Sequence, residues 1–300
     1  MLSVIICAHN PRSGYFQRCI NGLRHQTLPL QQWQLFLVDN RSDPPLAEQV
    51  DLSWHPAAAI VREENPGLTS ARLRGIRESS GDLLIFVDDD NVLDPDFLEV
   101  AQRTMDERSF LGSWSGQCRP EFETPPPQWT RRYWGNLVIR EFERDVWSNL
   151  PRLAESMPCG AGLCVRREAA LRYLNLHESG KRPFRFDRNG KSLLSGGDND
   201  LAACACDIGL GVGLIASLKL THLISPERLT ERYLARLCEG IICSSVVLDY
   251  FRSPAEAVSL YKIRWHEPVR ALLSRGPHRK IQFASLRGRR RGLALLDSLN

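Results

Sequence analysis

Residues Gly81–Asp96, which read GDLLIFVDDDNVLDPD, decide the fold of this chain. Five apolar residues, Leu83–Val87, lead directly into three aspartates, Asp88–Asp90. An apolar run without alternation predicts a strand that is buried on both faces, as in a parallel sheet. The carboxyl end of such a strand is where open α/β sheets bind ligands. Because three adjacent carboxylates repel one another, the stretch predicts a cation site there. The alternative is that they cap the helix that begins at Pro95.

Strands and helices alternate on both sides of this stretch. Further strands are predicted at 2–8, 35–38, 58–61, 111–116, 163–165 and 212–223, and helices at 15–26, 45–51, 68–79, 95–108, from 168, at 199–207, 226–249 and 254–264. This order predicts an α/β fold, with a mostly parallel sheet flanked by helices and right-handed crossovers. We expect a domain of residues 1–225 and a C-terminal helical extension of 226–300 with a basic tail. Residues 119–150, rich in proline and tryptophan, predict a lid or an acceptor-binding insertion.

The composition is that of a globular protein, with 43% hydrophobic residues in a chain of 300. Residues 252–300 hold 11 Lys and Arg against 3 Asp and Glu, so the rest of the chain is net acidic. We therefore expect no nucleic-acid partner. The run Arg287–Arg291, with leucines at 286, 293, 295 and 296, predicts peripheral membrane contact. A solvated charge run is the alternative for the same residues.

The nine cysteines show no Cys-x-x-Cys spacing, and the opening residues MLSVIICAHN lack the features of a signal peptide. We interpret the cysteines as buried thiols of a protein from a reducing compartment. The expected location is the cytoplasm, and for a membrane-associated form the inner face of the membrane.

Polar residues follow each predicted strand of the first half. His9 and Asn10 follow the first strand, Asp39 and Asn40 the second, and Asp88–Asp90 the fourth. Because the carboxyl ends of parallel strands meet at one edge of a sheet, we expect these residues to line the ligand site.

Five motifs occur in the order typical of the family 2 glycosyltransferases, which the chain resembles over about residues 2–225. They are SVIICAHN at 3–10, VDNRSD at 38–43, NPGLTSARLRG at 65–75, FVDDDNVLDPDFL at 86–98 and GGDNDL at 196–201. The resemblance implies the Rossmann-like GT-A fold and the transfer of a sugar, a hexose, from a nucleotide diphosphate. Two departures stand out. Cys7–Asn10 replaces the usual Pro-Thr-Tyr-Asn, which alters the pocket, and Gly197 replaces an acid beside Asp198.

The resemblance also implies a donor site. Asp39 would accept a hydrogen bond from the uracil imide, which selects a UDP-sugar, and Arg72 would contact the diphosphate or the base. The alternatives are a turn-forming aspartate and a solvated helix arginine. A divalent cation, Mg²⁺ or Mn²⁺, would stabilise the leaving diphosphate. Its ligands would be Asp90 above all, with Asp88 and His222, and the nucleotide pocket would also include Ala8, Asn10, Asp88 and Asp89.

Asp198 is the candidate general base of an inverting transfer, and an ordinary helix cap is the competing interpretation. The small residues Gly160, Ala161 and Gly162 would allow close approach of a carbohydrate or lipid-linked acceptor. Trp134 would stack on the acceptor or pack within the insertion, as would Trp129 and Trp147. A structural role is the alternative for His222.

Two other functions compete with sugar transfer. FVDDDNVL also matches the Asp-x-Asp motif of haloacid-dehalogenase-like phosphatases, in which Asp88 would be the nucleophile. That motif normally opens its domain, whereas here it follows the fourth strand. The second alternative is a catalytically inactive sugar-nucleotide binding protein, which Gly197 suggests.

Overall fold

The structure, a computed structural model, describes residues 1–151, 155–183, 188–189 and 192–297. The chain divides into two compact units. The first comprises Met1–Glu121, Val138–Arg185 and Asp198–Leu223, and the second comprises Phe122–Leu137, Phe186–Gly197 and Ile224–Asn300. The second unit thus takes in part of the predicted insertion as well as the C-terminal helices.

The strands are β1 Leu2–Ala8, β2 Trp33–Asp39, β3 Ala58–Arg62, β4 Leu83–Val87, β5 Asn91–Leu93, β6 Leu111–Phe122, β7 Val146–Ser148, β8 Leu163–Arg166, β9 Arg188–Asn189, β10 Ser192–Leu193 and β11 Gly211–Ile224. The helices are α1 Ser13–Arg24, α2 Leu68–Glu78, α3 Phe97–Glu107, α4 Arg167–Glu178, α5 Gly197–Asp207, α6 Glu231–Arg252, α7 Pro254–Tyr261, α8 His266–Leu273 and α9 Gly276–Asp297. Most predicted elements of the first half therefore form within a few residues of their expected bounds. The predicted helix at 45–51 is wrong, because only Leu46–Glu48 form a single 3₁₀ turn after two prolines.

One sheet dominates the first unit, with nine of the described strands in the order β3-β2-β1-β4-β8-β6-β11-β5 and β7 paired to β11. The strands β3, β2, β1 and β4 are parallel, as predicted. From β8 onward the pairings of β4 with β8, β8 with β6 and β11 with β5 are antiparallel, so the sheet as a whole is mixed rather than mostly parallel. The regular alternation of strand and helix ends at α3, and beyond it nothing local to a strand encodes its direction.

The central strands are buried on both faces, as the apolar run of β4 predicts. Alternate residues of β1 point to opposite faces. Val4 and Ile6 pack in a core with Phe16 and Phe97, on the side of α1 and α3. Ile5 packs in a second core that α2, α4 and α5 cover. The predicted α/β architecture with helices on both faces is confirmed.

Asp88–Asp90 do not cap a helix. They lead into the short strand β5, and α3 begins only at Phe97, with Asp96 at its N-cap and no capping bond from that side chain. The interpretation of the three acids as a helix cap is therefore wrong, since a strand intervenes.

The second unit is mainly helical. Its core is the packing of α6 against α9, which approach closely at two glycines of α9. A Cβ atom at Gly288 would lie 2.6 Å from the Glu239 carbonyl oxygen, and one at Gly292 would lie 2.7 Å from the Cβ of Val246. The helical extension is thus built on a small-residue contact.

The nine cysteines, all within the described residues, are free, and seven of them are buried. None of the helices in the described part of the chain is long and apolar enough to cross a bilayer.

Candidate active site

The site lies at the carboxyl edge of the parallel strands in the first unit. The register places Ala8 of β1 beside Asp39 of β2, and Ile6 beside Val87, the last residue before Asp88. Because β8 is antiparallel to β4, its start reaches the same edge, where Leu163 pairs with Phe86. The Gly160–Gly162 loop that precedes β8 is thereby brought to the edge that carries the aspartates.

Asn40 ties together the loops that follow β2 and β3. Its side-chain amide donates to the carbonyl oxygens of Glu63 (3.2 Å) and Asn65 (2.7 Å), and its Oδ1 accepts from the Gly67 N–H at 2.7 Å. Gly67 has a φ of 122°, which an L side chain would adopt only with strain, and it immediately precedes α2. Asn40 therefore helps to position the start of α2, the helix that carries Arg72.

Asn10 ties the loop after β1 to the loop after β2. Its N–H donates to Ser42 Oγ at 2.9 Å, and its Oδ1 accepts from the Asp43 N–H at 2.9 Å. Asn10 has a φ of 46°, which asparagine tolerates better than most residues. The side chain remains exposed at the carboxyl end of β1.

Asp39 is 1% exposed and accepts three hydrogen bonds. The donors are the N–H groups of Ser42 (2.7 Å) and Leu46 (3.1 Å) and the Arg62 guanidinium (2.8 Å). Burial alone would raise the pKa of Asp39, but the hydrogen bonds from Ser42 and Leu46 and the charge of Arg62 outweigh it and lower this pKa. Its carboxylate therefore organises the loop after β2. A contact from Asp39 to a nucleotide base stays a prediction.

Arg72, Asp198 and Gly160 form the centre of the site. Gly160 donates its N–H to Asp198 Oδ2 at 2.7 Å. A Cβ atom on Gly160 would lie 3.0 Å from Asp198 Oδ2 and 3.1 Å from Arg72 Nη2, so the guanidinium and the carboxylate converge on this glycine. Arg72 is 5% exposed. Burial works to lower its pKa, but the charges of Asp198 and Asp88 prevail and raise it.

Asp198 occupies the first turn of α5 rather than its N-cap, since the helix begins at Gly197. Its half-buried carboxylate accepts from the distant Gly160. Two neighbours hold the helix in place. Asn199 Nδ2 donates to the Pro158 carbonyl at 3.2 Å, and the fully buried Asp200 accepts from Arg182 Nε at 3.0 Å.

Asp90 and His222 meet where β5 pairs with β11. The register sets Asn91 opposite His222, and His222 Nε2 lies 3.5 Å from Asp90 Oδ2. Both side chains are nearly buried. Among the described residues no group of three or more His, Cys, Asp and Glu is arranged to hold a metal ion by itself. Carboxylate oxygens are ligands that Mg²⁺ and Mn²⁺ prefer, whereas an imidazole is more typical of Zn²⁺, Cu²⁺, Fe²⁺ and Ni²⁺ sites.

Two of the predicted aromatic residues pack on other side chains of their own unit. Trp134 belongs to the second unit, where its ring lies 5.1 Å from that of Phe122 and its Nε1 donates to Thr130 Oγ1 at 3.3 Å. Trp147 is exposed and packs on Phe110 at 4.8 Å. An acceptor contact from Trp134 stays a prediction.

Sequence reasoning missed two ion-pair partners, Arg62 and Arg182, and left the surroundings of Cys7 unspecified. Arg62 binds Asp39, Arg182 binds Asp200, and Cys7 lies among Arg72, Asp88 and Asp89. Burial is the main cause that raises the pKa of Cys7 to about 12; the charge of Arg72 opposes it, and those of Asp88 and Asp89 add to it. The thiol therefore stays protonated. The only sequence signal was the unusual cysteine in the opening motif; the ion pairs join residues 23 and 18 positions apart and have no local signature.

Comparison with known proteins identifies the family. The chain matches the sequence model of Glycosyl transferase family 2 over residues 3–170, more than half its length. It is 33% identical over 92 residues to glycosyltransferase AglE of Haloferax volcanii, a match that covers 30% of each protein. The curated relatives are matched over 30% to 41% of their own length.

Two solved structures share the fold. Residues 1–349 of TarS from S. aureus, in complex with UDP, superpose with a TM-score of 0.52 and 16% identity, over 100% of this chain and 92% of that one. Mannosyltransferase PcManGT from Pyrobaculum calidifontis, in complex with GDP-Man and Mn²⁺, gives a TM-score of 0.55 and 16% identity, over 100% and 75%. With the family match over residues 3–170, this chain belongs to the family 2 glycosyltransferases.

Proposed function

We propose that the chain transfers a sugar from a nucleotide diphosphate, a UDP-sugar, to a hydroxyl acceptor with inversion, and that Asp198 is the general base. The observation that carries the proposal is the convergence of Asp198 and Arg72 on Gly160, at the edge where β4 delivers Asp88. In the proposed reaction the acceptor hydroxyl gives its proton to Asp198 as its oxygen bonds to the anomeric carbon. The bond from that carbon to the diphosphate breaks on the opposite face.

Arg72 is proposed to stabilise the negative charge that develops on the leaving diphosphate. A guanidinium donates in a fixed planar geometry that matches phosphate oxygens, and its charge does not depend on pH in the working range. Arg72 is buried and lies in the field of the Asp198 and Asp88 charges, so we propose that its guanidinium is already in place when the diphosphate arrives. Such preorganisation stabilises developing charge without a reorganisation cost.

Asp90 and His222, with Asp88, are proposed to hold Mg²⁺ or Mn²⁺. The ion, when bound, would supply a further positive charge to the leaving diphosphate. The 3.5 Å separation of His222 Nε2 and Asp90 Oδ2 lets both side chains face one ion. PcManGT was solved with GDP-Man and Mn²⁺, and TarS with UDP and with UDP-GlcNAc, which supports a metal and a nucleotide-sugar as ligand classes.

The experiment that tests the base is Asp198→Asn. Release of UDP from UDP-glucose and UDP-GlcNAc is measured with p-nitrophenyl hexosides as acceptors and with water alone. We expect kcat to fall at least about a hundredfold, because the amide cannot take the acceptor proton. Asp207→Asn, the same change at the far end of α5, is the matched control and should keep wild-type activity.

Wild-type kcat in Asp198→Asn would show that the base is another group. If wild type and Asp198→Asn both bound UDP-sugars and neither turned them over, the binding-protein alternative would be favoured. The phosphatase alternative, which family membership already argues against, predicts instead phosphate release from sugar phosphates.

A further inference from the structure

The helix α8 presents apolar side chains to solvent. Trp265, just before the helix, is 84% exposed, and Val269, Leu272 and Leu273 are 50%, 54% and 76% exposed. Positions 265, 269, 272 and 273 recur at intervals of three and four residues, so they share one side of the helix. We call these four residues the α8 surface. Large apolar side chains at this exposure mark an interaction site when they cluster.

The opposite side of α8 is the side that packs against its own unit. Ala271 is 2% exposed, and both carboxylate oxygens of Glu267 accept from Arg289 Nη1 of α9, at 2.8 and 2.9 Å. An amphipathic helix normally packs with its apolar side inward. Here the small Ala271 and the Glu267–Arg289 ion pair face the unit, and the large apolar side chains face outward.

Cations flank the α8 surface. Lys262, Arg264, Arg270 and Arg275 are exposed. The single acid between residues 257 and 280 is Glu267, which is bound to Arg289. Exposed tryptophan and leucine beside lysine and arginine are the composition of helices that lie in the interface of an anionic membrane.

The basic tail is less suited to this role than the sequence suggested. Arg287 binds Glu239 at 2.9 Å, Arg289 binds Glu267, and Leu296 is 3% exposed. Because α9 packs on α6, part of the tail's charge and apolar surface is already used within the second unit.

We propose that the α8 surface docks this protein on an anionic lipid bilayer, with Trp265, Leu272 and Leu273 at the level of the headgroups. The cations decide between a bilayer and a second copy of the chain. In a self-association across this surface the like charges of Lys262, Arg264 and Arg270 would face each other and repel. Anionic headgroups attract them. The proposal concerns the second unit alone and is independent of sugar transfer.

The test is flotation of the full chain with vesicles of phosphatidylcholine containing about 30% phosphatidylglycerol, a charge density at which each cation near the surface counts. We expect wild type to float and to be released by high salt. The triple variant Trp265→Ser, Leu272→Ser, Leu273→Ser should bind at least about tenfold more weakly. The variant Lys262→Gln, Arg264→Gln, Arg270→Gln should lose most of its preference for anionic over pure phosphatidylcholine vesicles.

The matched control is Trp147→Ser, Leu150→Ser, Leu171→Ser, which removes three exposed apolar side chains from the first unit and should float like wild type. The charge variant leaves the apolar residues intact, so it tests the proposal even if the serine variant folds poorly. Wild type that does not float, or a serine variant that floats like wild type, would overturn the proposal. So would a wild-type dimer in solution that the serine variant makes monomeric, because a second copy would then cover the surface. None of these outcomes depends on donor turnover.

Discussion

At the scale of single residues, Gly160 leaves just enough space for the two charged groups of the site. Gly160→Ala keeps the N–H that Asp198 accepts but adds a methyl group 3.0 Å from Asp198 Oδ2 and 3.1 Å from Arg72 Nη2. One or both side chains must move. We expect kcat to fall about ten- to hundredfold, because small displacements of reacting groups are costly. Steady-state kinetics with UDP-sugars measure this change.

The control for that substitution is Gly14→Ala. No heavy atom lies within 4 Å of a Cβ at Gly14, in the first turn of α1, so alanine fits. We expect unchanged activity and a protein that is more stable by up to about 1 kcal/mol. If Gly160→Ala also kept full activity, the close packing at Gly160 would have no catalytic importance.

Asp39 gives the stability of the fold a predictable pH dependence. Its pKa in the folded protein is lowered, so its stabilising contribution is complete above the unfolded value of about 3.9 and is lost as the pH falls through the folded value. Asp39→Asn should lower the free energy of unfolding by about 2–3 kcal/mol at pH 7. The gap to wild type should close as the pH falls below about 4. Urea unfolding from pH 7 to pH 3 measures it.

Asp43→Asn changes an exposed carboxyl in the same loop and serves as the control. Its stability should track that of wild type at every pH. A gap for Asp39→Asn that did not change with pH would mean that packing, rather than the charge of Asp39, holds the loop.

At the scale of elements, α5 is positioned by an ion pair that is almost inaccessible to water. Asp200 is 0% exposed and the Arg182 side chain 8%. Asp200→Asn would leave the Arg182 charge buried without a countercharge, which costs about 3 kcal/mol of unfolding free energy. We also expect a loss of activity, because Asp198 lies two residues away on the same turn. Chemical denaturation and kinetics together measure both effects.

The control for Asp200→Asn is Glu78→Gln, which removes the charge of an exposed ion pair on α2. Glu78 pairs with Arg74 at 2.7 Å, but both side chains are more than a third exposed. Surface pairs of this kind contribute little, so the change should stay within about 0.5 kcal/mol. Equal effects of the two substitutions would contradict a structural role for the Asp200–Arg182 pair.

At the scale of the whole molecule, ligand binding should raise the unfolding temperature. A ligand at about a hundred times its Kd stabilises by about 2.7 kcal/mol, which for a domain of this size corresponds to about 5 °C or more. We expect the largest shift with UDP and Mn²⁺, and smaller shifts with GDP and dTDP. Asp90→Asn should abolish the part of the shift that depends on Mn²⁺ and keep the part due to UDP.

Asp106→Asn, an exposed acid on α3, is the control for charge removal and should respond to ligands like wild type. A larger shift with GDP than with UDP would overturn the assignment of uracil as the nucleotide base of the donor. The absence of any shift would overturn the donor site itself, while leaving the α8 surface and its membrane test untouched.

The sequence by itself determined the parallel half of the sheet and the polar character of its carboxyl edge. The apolar runs of β1, β2 and β4, each followed by polar residues, predicted the strands and the edge at which Asp39 and Asp88 meet. This worked because the burial of a strand and the polarity of its end are local properties that sequence periodicity reports. The order of the five motifs supplied the family.

Only the tertiary structure decided the rest. The antiparallel direction of β8 brings Gly160 to the same edge as Asp88, and the pairing of β5 with β11 brings His222 to Asp90. These are contacts between residues far apart in the chain, and their strand directions leave no local pattern. The outward apolar side of α8 likewise depends on contacts with a later part of the chain, among them the Glu267–Arg289 ion pair. A periodic apolar pattern predicts which residues share a side of a helix, but the docking of the helix decides whether that side is buried.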